Sequence, residues 1–195
     1  MLSYEESLKI LKKTNALLEG HFILSSGLHS KEYIQCAQLL SYPKQAEAIC
    51  SSLVNKIKDK FKKIDLILSP ALGGIVVGYE IGRQLNIKTI FAERESGALS
   101  LRRGFSIPKD SNVLIVEDVI TTGKSASECS NLVLSNASNL VGFACIIDRS
   151  TEKIFKNHEI ISQLKIKIET YEKNNLPKEL KNIEAVKPGS RNIKK

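Results

Sequence analysis

Between residues 43 and 147 two hydrophobic patterns alternate. Short continuous apolar runs bounded by turn residues fit strands buried on both faces, as in a parallel sheet. Stretches with apolar residues every three or four positions fit amphipathic helices. The predicted strands are Asp65–Ser69, Lys88–Ala92, Val113–Val116 and Leu140–Ile147; the predicted helices are Pro43–Phe61, Ile75–Leu85 and Ser125–Asn136. In the first helix Ala46, Ile49, Cys50, Leu53, Ile57 and Phe61 share a stripe, and Pro43 suits a first helical turn. Its lysines, Lys56 to Lys63, read as a solvated face. Strand–helix alternation of this kind predicts an α/β fold, a mostly parallel central sheet with helices on both faces.

The ends of the chain differ. Ser3-Tyr4-Glu5-Glu6 has the form of a capping box and opens a helix to about Asn15. Phe22–Leu24 and Tyr33–Cys36 read as short strands of a hairpin around residues 25–30. Beyond Ser150, Leu164, Ile166 and Ile168 alternate with polar residues, as in a half-exposed strand. Residues 177–195 are polar and expected to be loosely ordered. Glu93–Gly104 reads as a polar, glycine-containing twelve-residue loop, a length that is commonly functional or disordered.

The chemistry concentrates in Val113–Ser125, VLIVEDVITTGKS. A buried strand runs into two carboxylates, Glu117 and Asp118, then through Val119 and Ile120 to Thr121-Thr122-Gly123-Lys124-Ser125 and a helix. A strand, a tight turn and a helix N-terminus aim backbone N–H groups and a positive dipole end at one point, which suits phosphate. A Walker P-loop is excluded, because the glycine it needs five residues before Gly123 is Asp118, whose charge would repel phosphates. An ordinary capped turn with two solvated acids is the plain alternative. Two carboxylates beside a phosphate nest point instead to a ligand with hydroxyls and a phosphate, a sugar phosphate. Pro70-Ala71-Leu72-Gly73-Gly74 is a second strand-to-helix turn, and Gly74, Gly78 and Gly82 leave one helix face bare for close packing. Tyr79, Glu80 and Arg83 argue against a membrane GxxxG, and the spacing is no GxGxxG fingerprint. Gly73, Glu117–Thr121 and Arg149 all follow carboxyl ends of predicted strands, where open α/β sheets bind ligands.

Composition narrows this little. The chain has 195 residues, 42% hydrophobic and 26% charged, as in soluble globular proteins. No apolar run approaches the ~18 residues of a membrane span, and MLSYEESLKI lacks the regions of a signal peptide. Cys36, Cys50, Cys129 and Cys145 show no metal or CxxC spacing and read as reduced thiols of a cytoplasmic protein. The net charge is +8, of which +5 falls in residues 151–195. That basic tail is read as solvated surface rather than a nucleic-acid site, while a positive field draws in polyanionic substrates.

The acid pair and its threonine-rich turn resemble the phosphoribosyl pyrophosphate (PRPP) motif of type I phosphoribosyltransferases. Phe22-Ile23-Leu24-Ser25-Ser26-Gly27-Leu28-His29-Ser30…Tyr33 resembles the FxLxSGxxSxxY segment of the orotate-specific family. Ala92-Glu93-Arg94-Glu95…Leu101-Arg102-Arg103-Gly104-Phe105 and Ile147-Asp148-Arg149 are similar to it too. The resemblance implies a type I phosphoribosyltransferase fold in one domain, with a core at about 43–150 and a small hood from about 1–42 and 151–176. It implies transfer of phosphoribose from PRPP to orotate in pyrimidine biosynthesis, with Mg²⁺ bound mainly through PRPP and no direct metal ligands.

By the same resemblance Glu117 and Asp118 hold the ribose hydroxyls and Thr121, Thr122, Gly123, Lys124 and Ser125 wrap the 5′-phosphate, with Val119 and Ile120 in the motif. Gly73 meets pyrophosphate through its main chain, where relatives often have a Lys. Arg149 pairs with the orotate carboxylate, Thr121 hydrogen-bonds the base, and Tyr33 and Ile34 line the base pocket. Some members have a Lys where Ser25 stands, and Lys and His in the mobile loop; Glu95–Leu101 has neither, so Arg94, Arg102 or Arg103 supplies the positive charge. The family pattern also implies a homodimer in which this loop reaches the partner's site. Other readings are a transferase for another base and a nucleic-acid-binding regulator with the same fold.

Overall fold

A computed structural model describes residues 1–24 and 26–188. Ser25, proposed above as the position of a family lysine, and the end of the tail lie outside them. Strand β1 (Leu17–Ile23) and β2 (His29–Ile34) form the predicted hairpin, and a short β9 (Thr170–Tyr171) joins β2 antiparallel. This three-stranded sheet is thus built from both chain ends. The larger sheet contains β3 (Leu66–Pro70), β4 (Thr89–Glu95), β5 (Ala98–Leu101), β6 (Asn112–Ile120), β7 (Asn139–Asp148) and β8 (Ile160–Lys165), in the order β5-β4-β3-β6-β7-β8. All its pairings are parallel except β4 with β5.

Helices α1 (Tyr4–Lys13), α2 (Cys36–Leu40), α3 (Pro43–Lys60) and α4 (Gly73–Leu85) precede β4, α5 (Lys124–Ser135) follows β6, and α6 (Lys178–Lys181) lies in the tail. At α1 the capping box forms in both directions: Glu6 N–H donates to Ser3 Oγ, and Ser3 N–H donates to the Glu6 carboxylate. Such a cap contributes about 1 kcal/mol. One sheet face packs Leu114 and Val116 against Ile49 and Leu53 of α3 and Val77 and Ile81 of α4. The other packs Val113, Ile115 and Phe143 against Ala126, Cys129 and Val133 of α5.

Four expectations change. The segment 93–104 is not an irregular loop, because β4 turns at Ser96-Gly97 (φ 49° and 92°) and returns as β5. Leu99 of β5 is 7% exposed, which pins the hairpin to the core. The acid pair does not end its strand, since β6 continues to Ile120 and pairs Val119 with Ile147 and Ile120 with Asp148. The bare face of α4 is turned inward. A Cβ on Gly74 would lie 3.1 Å from Val116 O, and one on Gly78 would collide with Ser69 Oγ. That face therefore brings α4 close to its own sheet and offers nothing to a partner. Finally, the tail is anchored as far as Val186: Leu180 is buried, and Val186 forms a parallel bridge to Phe22.

Candidate active site

Because β3, β6 and β7 are adjacent and parallel, their carboxyl ends bring three connections to one edge. The first is the turn from β3 into α4, where the Ala71–Leu72 peptide is cis. A Cβ on Gly73 would lie 2.6 Å from Asp118 Oδ1. A side chain here would have to displace the Asp118 carboxylate, and with glycine in place any ligand contact at Gly73 is made by the main chain.

The second connection is Thr121–Gly123. Gly123 sits at φ 70°, and a Cβ on it would meet Ile154 Cδ1 at 2.7 Å and Phe155 Cζ at 2.9 Å. Both conformation and space therefore require glycine. Phe155 stacks on Phe143, centroids 3.7 Å apart, so the chain after β7 clamps this turn from behind. Helix α5 then begins without a side-chain cap. Uncapped first-turn N–H groups and the dipole end suit a phosphate. Thr121, Thr122 and Lys124 are exposed, and Ser125 is half-buried. Val119 is partly buried against the α4-side core and Ile120 is buried in the α5-side core.

Glu117 and Asp118 are neighbours on a strand, and their side chains leave opposite faces of the sheet. Asp118 stands over Gly73. Glu117 faces α5, where its charge acts on the Cys129 thiol. Burial, then the charge of Asp118, pushes the Glu117 carboxyl up to about 8. Burial also raises Asp118, against backbone N–H bonds that lower it. Glu117 thus binds a proton in the folded chain that the unfolded chain has released above its ordinary value of 4.5. Stability falls as pH rises through that interval. Glu117→Gln is expected to melt above wild type by a margin that widens from pH 4.5 to about 8 and then stays constant. Thermal melts across this range check it, and a constant margin at every pH would contradict it.

The third connection carries Arg149. Asp148 is buried, and its Oδ1 accepts the Ser150 N–H at 2.8 Å, a side-chain turn that fixes the chain around Arg149. Asp148 Oδ2 lies 3.3 Å from Lys165 Nζ. The guanidinium is half-buried, and its Nε finds no hydrogen-bond partner among the described residues. Burial lowers its pKa, opposed by the nearby Tyr33 and Glu32. A desolvated cation with a free donor is a receptor for a carboxylate. Tyr33 stands near it and packs on the Phe22 ring at 5.7 Å. Ile34, next along β2, is 8% exposed and belongs to the α4-side core. Its side chain leaves the opposite face of β2 from that of Tyr33.

The three hairpin arginines are exposed, and each meets a carboxylate of its own chain. Arg94 Nη2 lies 3.0 Å from Glu128 Oε2, and Arg102 Nη1 lies 3.7 Å from Glu95 Oε1. Arg103 donates to both oxygens of Glu93 at 2.7 and 2.8 Å and sits 5.8 Å over the Phe91 ring. Sequence reasoning gave no role to Asp148 or Glu128. Asp148 was visible as the acid before Arg149; Glu128 carried no signal in an ordinary helix.

The chain is similar to known proteins. Residues 36–181 match the phosphoribosyl transferase domain family. The chain is 47% identical, over 99% of its length and all of the relative's, to the orotate phosphoribosyltransferase of Caldicellulosiruptor saccharolyticus. It is 48% identical to that of Caldicellulosiruptor bescii, over 94% of this chain and 96% of the relative. The crystal structure of orotate phosphoribosyltransferase from Aeropyrum pernix superposes with a TM-score of 0.71 at 23% identity, over 81% of this chain and 92% of that one. A type I phosphoribosyltransferase fold, with relatives this similar over the full length, makes the chain a member of the orotate phosphoribosyltransferase family.

Proposed function

We propose that this protein transfers the 5-phosphoribosyl group from PRPP to orotate, giving orotidine 5′-monophosphate and pyrophosphate for pyrimidine synthesis. The observation that carries the choice of base is Arg149, a desolvated guanidinium with a free Nε beside Tyr33, matched to a planar carboxylate. Thr121 stands in the adjacent turn to hydrogen-bond the ring. Thr122, Gly123, Lys124 and Ser125 hold the 5′-phosphate at the start of α5. Asp118 accepts the ribose hydroxyls on the Gly73 side, and Glu117 approaches the same ring from the α5 side.

As the bond from C1′ to pyrophosphate breaks, the sugar gains positive character and the leaving group negative charge. Stabilising that separation matters more than a nucleophile. Main-chain groups at Gly73 and the cations Arg94, Arg102 and Arg103 supply the protein's share. Among the described residues no three His, Cys, Asp or Glu side chains converge on a metal site. Asp118 is the carboxylate beside Gly73, a donor set that fits Mg²⁺ carried in on PRPP, and the ion would add neutralisation of the pyrophosphate. The test is orotate consumption with PRPP and Mg²⁺ against a panel of other bases; turnover of adenine but not orotate would overturn the reading.

We infer a homodimer as well. Leu72, Val76 and Tyr79 recur on the outer stripe of α4 at 84, 51 and 65% exposure. An unpaired apolar stripe on one helix face fits a second copy across a two-fold axis, and it starts at the residue before Gly73. The exposed Arg102 and Arg103 then reach the partner's site. Coexpression of an Arg102→Ala, Arg103→Ala chain with an Asp118→Asn chain checks this. Half of randomly paired dimers are mixed, and each holds one intact site served by an intact hairpin. Activity is expected to return to about a quarter of wild type; no recovery beyond the parental variants would refute the sharing.

A further inference from the structure

The hairpin that bears the arginines is tied to the helix that starts at the phosphate turn, and one side chain makes the tie. Glu128 Oε2 lies 3.0 Å from Arg94 Nη2 and accepts the Leu99 N–H at 3.3 Å. Arg94 and Leu99 are register partners on β4 and β5, so a single carboxylate oxygen holds both strands of the hairpin. Arg94 also donates to Gly97 O, which braces the turn at the tip. Leu99 packs into the α5-side core beside this contact, while Glu128 itself is only 24% exposed. Glu128 stands one helical turn after Lys124, the first residue of α5 and part of the proposed phosphate site.

We propose that Glu128 is a positioning residue that couples the phosphate turn to the hairpin, so that phosphate bound at the start of α5 also orders Arg94 and the strand that leads to Arg102 and Arg103. The coupling rests on the PRPP-site reading above; the seating of the hairpin by Glu128 does not. An ion pair as exposed as this one contributes little to global stability. Its two-strand geometry makes it matter locally, because β5 has only four residues and one neighbouring strand.

Amide hydrogen exchange on the full-length protein tests the proposal with and without PRPP and Mg²⁺. Without ligand, Glu128→Ala is expected to speed exchange of the amides of residues 96–101 about tenfold or more, the loss of one charge-assisted contact, with β3 and β6 amides unchanged. Glu128→Gln keeps an acceptor for the Leu99 N–H without the charge, and its exchange is expected to fall between the two. In wild type PRPP slows exchange in both residues 121–126 and the hairpin; in Glu128→Ala it slows only the former. Steady-state kinetics in Glu128→Ala should show a lower kcat with PRPP and an unchanged KM for orotate. Wild-type exchange at 96–101 in the unliganded Ala variant would overturn the seating. Equal PRPP protection of the hairpin in both proteins would overturn the coupling. PRPP that fails to protect 121–126 even in wild type would count against the PRPP site and the coupling built on it, leaving the ligand-free comparison to decide the seating.

Discussion

Asp118→Asn is expected to lower kcat/KM for PRPP by ~10- to 150-fold while orotate binding is retained. The estimate is one charge-assisted hydrogen bond, ~1.5–3 kcal/mol. The amide has nearly the same shape, so it keeps the contact with Gly73 and leaves the fold intact. What it loses is the anion that accepts a ribose hydroxyl, at the one position of the acid pair that faces the Gly73 turn. The pH profile adds a second readout. Burial raises the Asp118 carboxyl in the free protein, and asparagine has no such group to titrate, so any dependence of PRPP use on this carboxyl should be absent from the variant's profile. PRPP kinetics of Asp118→Asn equal to wild type would remove Asp118 from the mechanism. A collapse of orotate binding as well would mean that the variant damages the site as a whole.

The readable part of this molecule is the part in which one side-chain pattern fixes one environment. Val113–Val116 can only be a strand buried on both faces, and the stripe through Ile49, Leu53 and Ile57 can only be an amphipathic helix. Three strand ends then had to meet on one edge. Where the pattern was short or partner-dependent, the reading failed. Strand β5 has four residues, too few for alternation to stand out in a polar stretch. Helix α2 has five and was missed altogether. The glycines of α4 announced a close approach but not its object, which is the chain's own sheet. The acid pair was legible as chemistry, yet its division between two faces follows from backbone pairing of Val119 and Ile120 with β7. Glu128 meets Leu99 across 29 residues, a contact that only the packed fold creates.

Arg149→Lys is expected to raise the KM for orotate by ~10- to 150-fold, the loss of one charged hydrogen bond from a forked pair, with little change in PRPP affinity. Arginine presents two parallel N–H donors to a carboxylate, and an ammonium offers a point charge on a flexible stem. The environment sharpens the difference. Burial already lowers the pKa of the guanidinium, which stays charged because its ordinary value is 12.5. A lysine in the same place starts lower and loses charge more readily when desolvated. The variant's orotate affinity should therefore weaken further as pH rises, where wild type should not. Asp148 supports the same end: its carboxylate caps Ser150 N–H and holds the turn in either protein, so the comparison isolates the head group. Orotate kinetics at the wild-type level in Arg149→Lys, with a matching pH profile, would show that the carboxylate is bound elsewhere and that the base pocket has been misplaced.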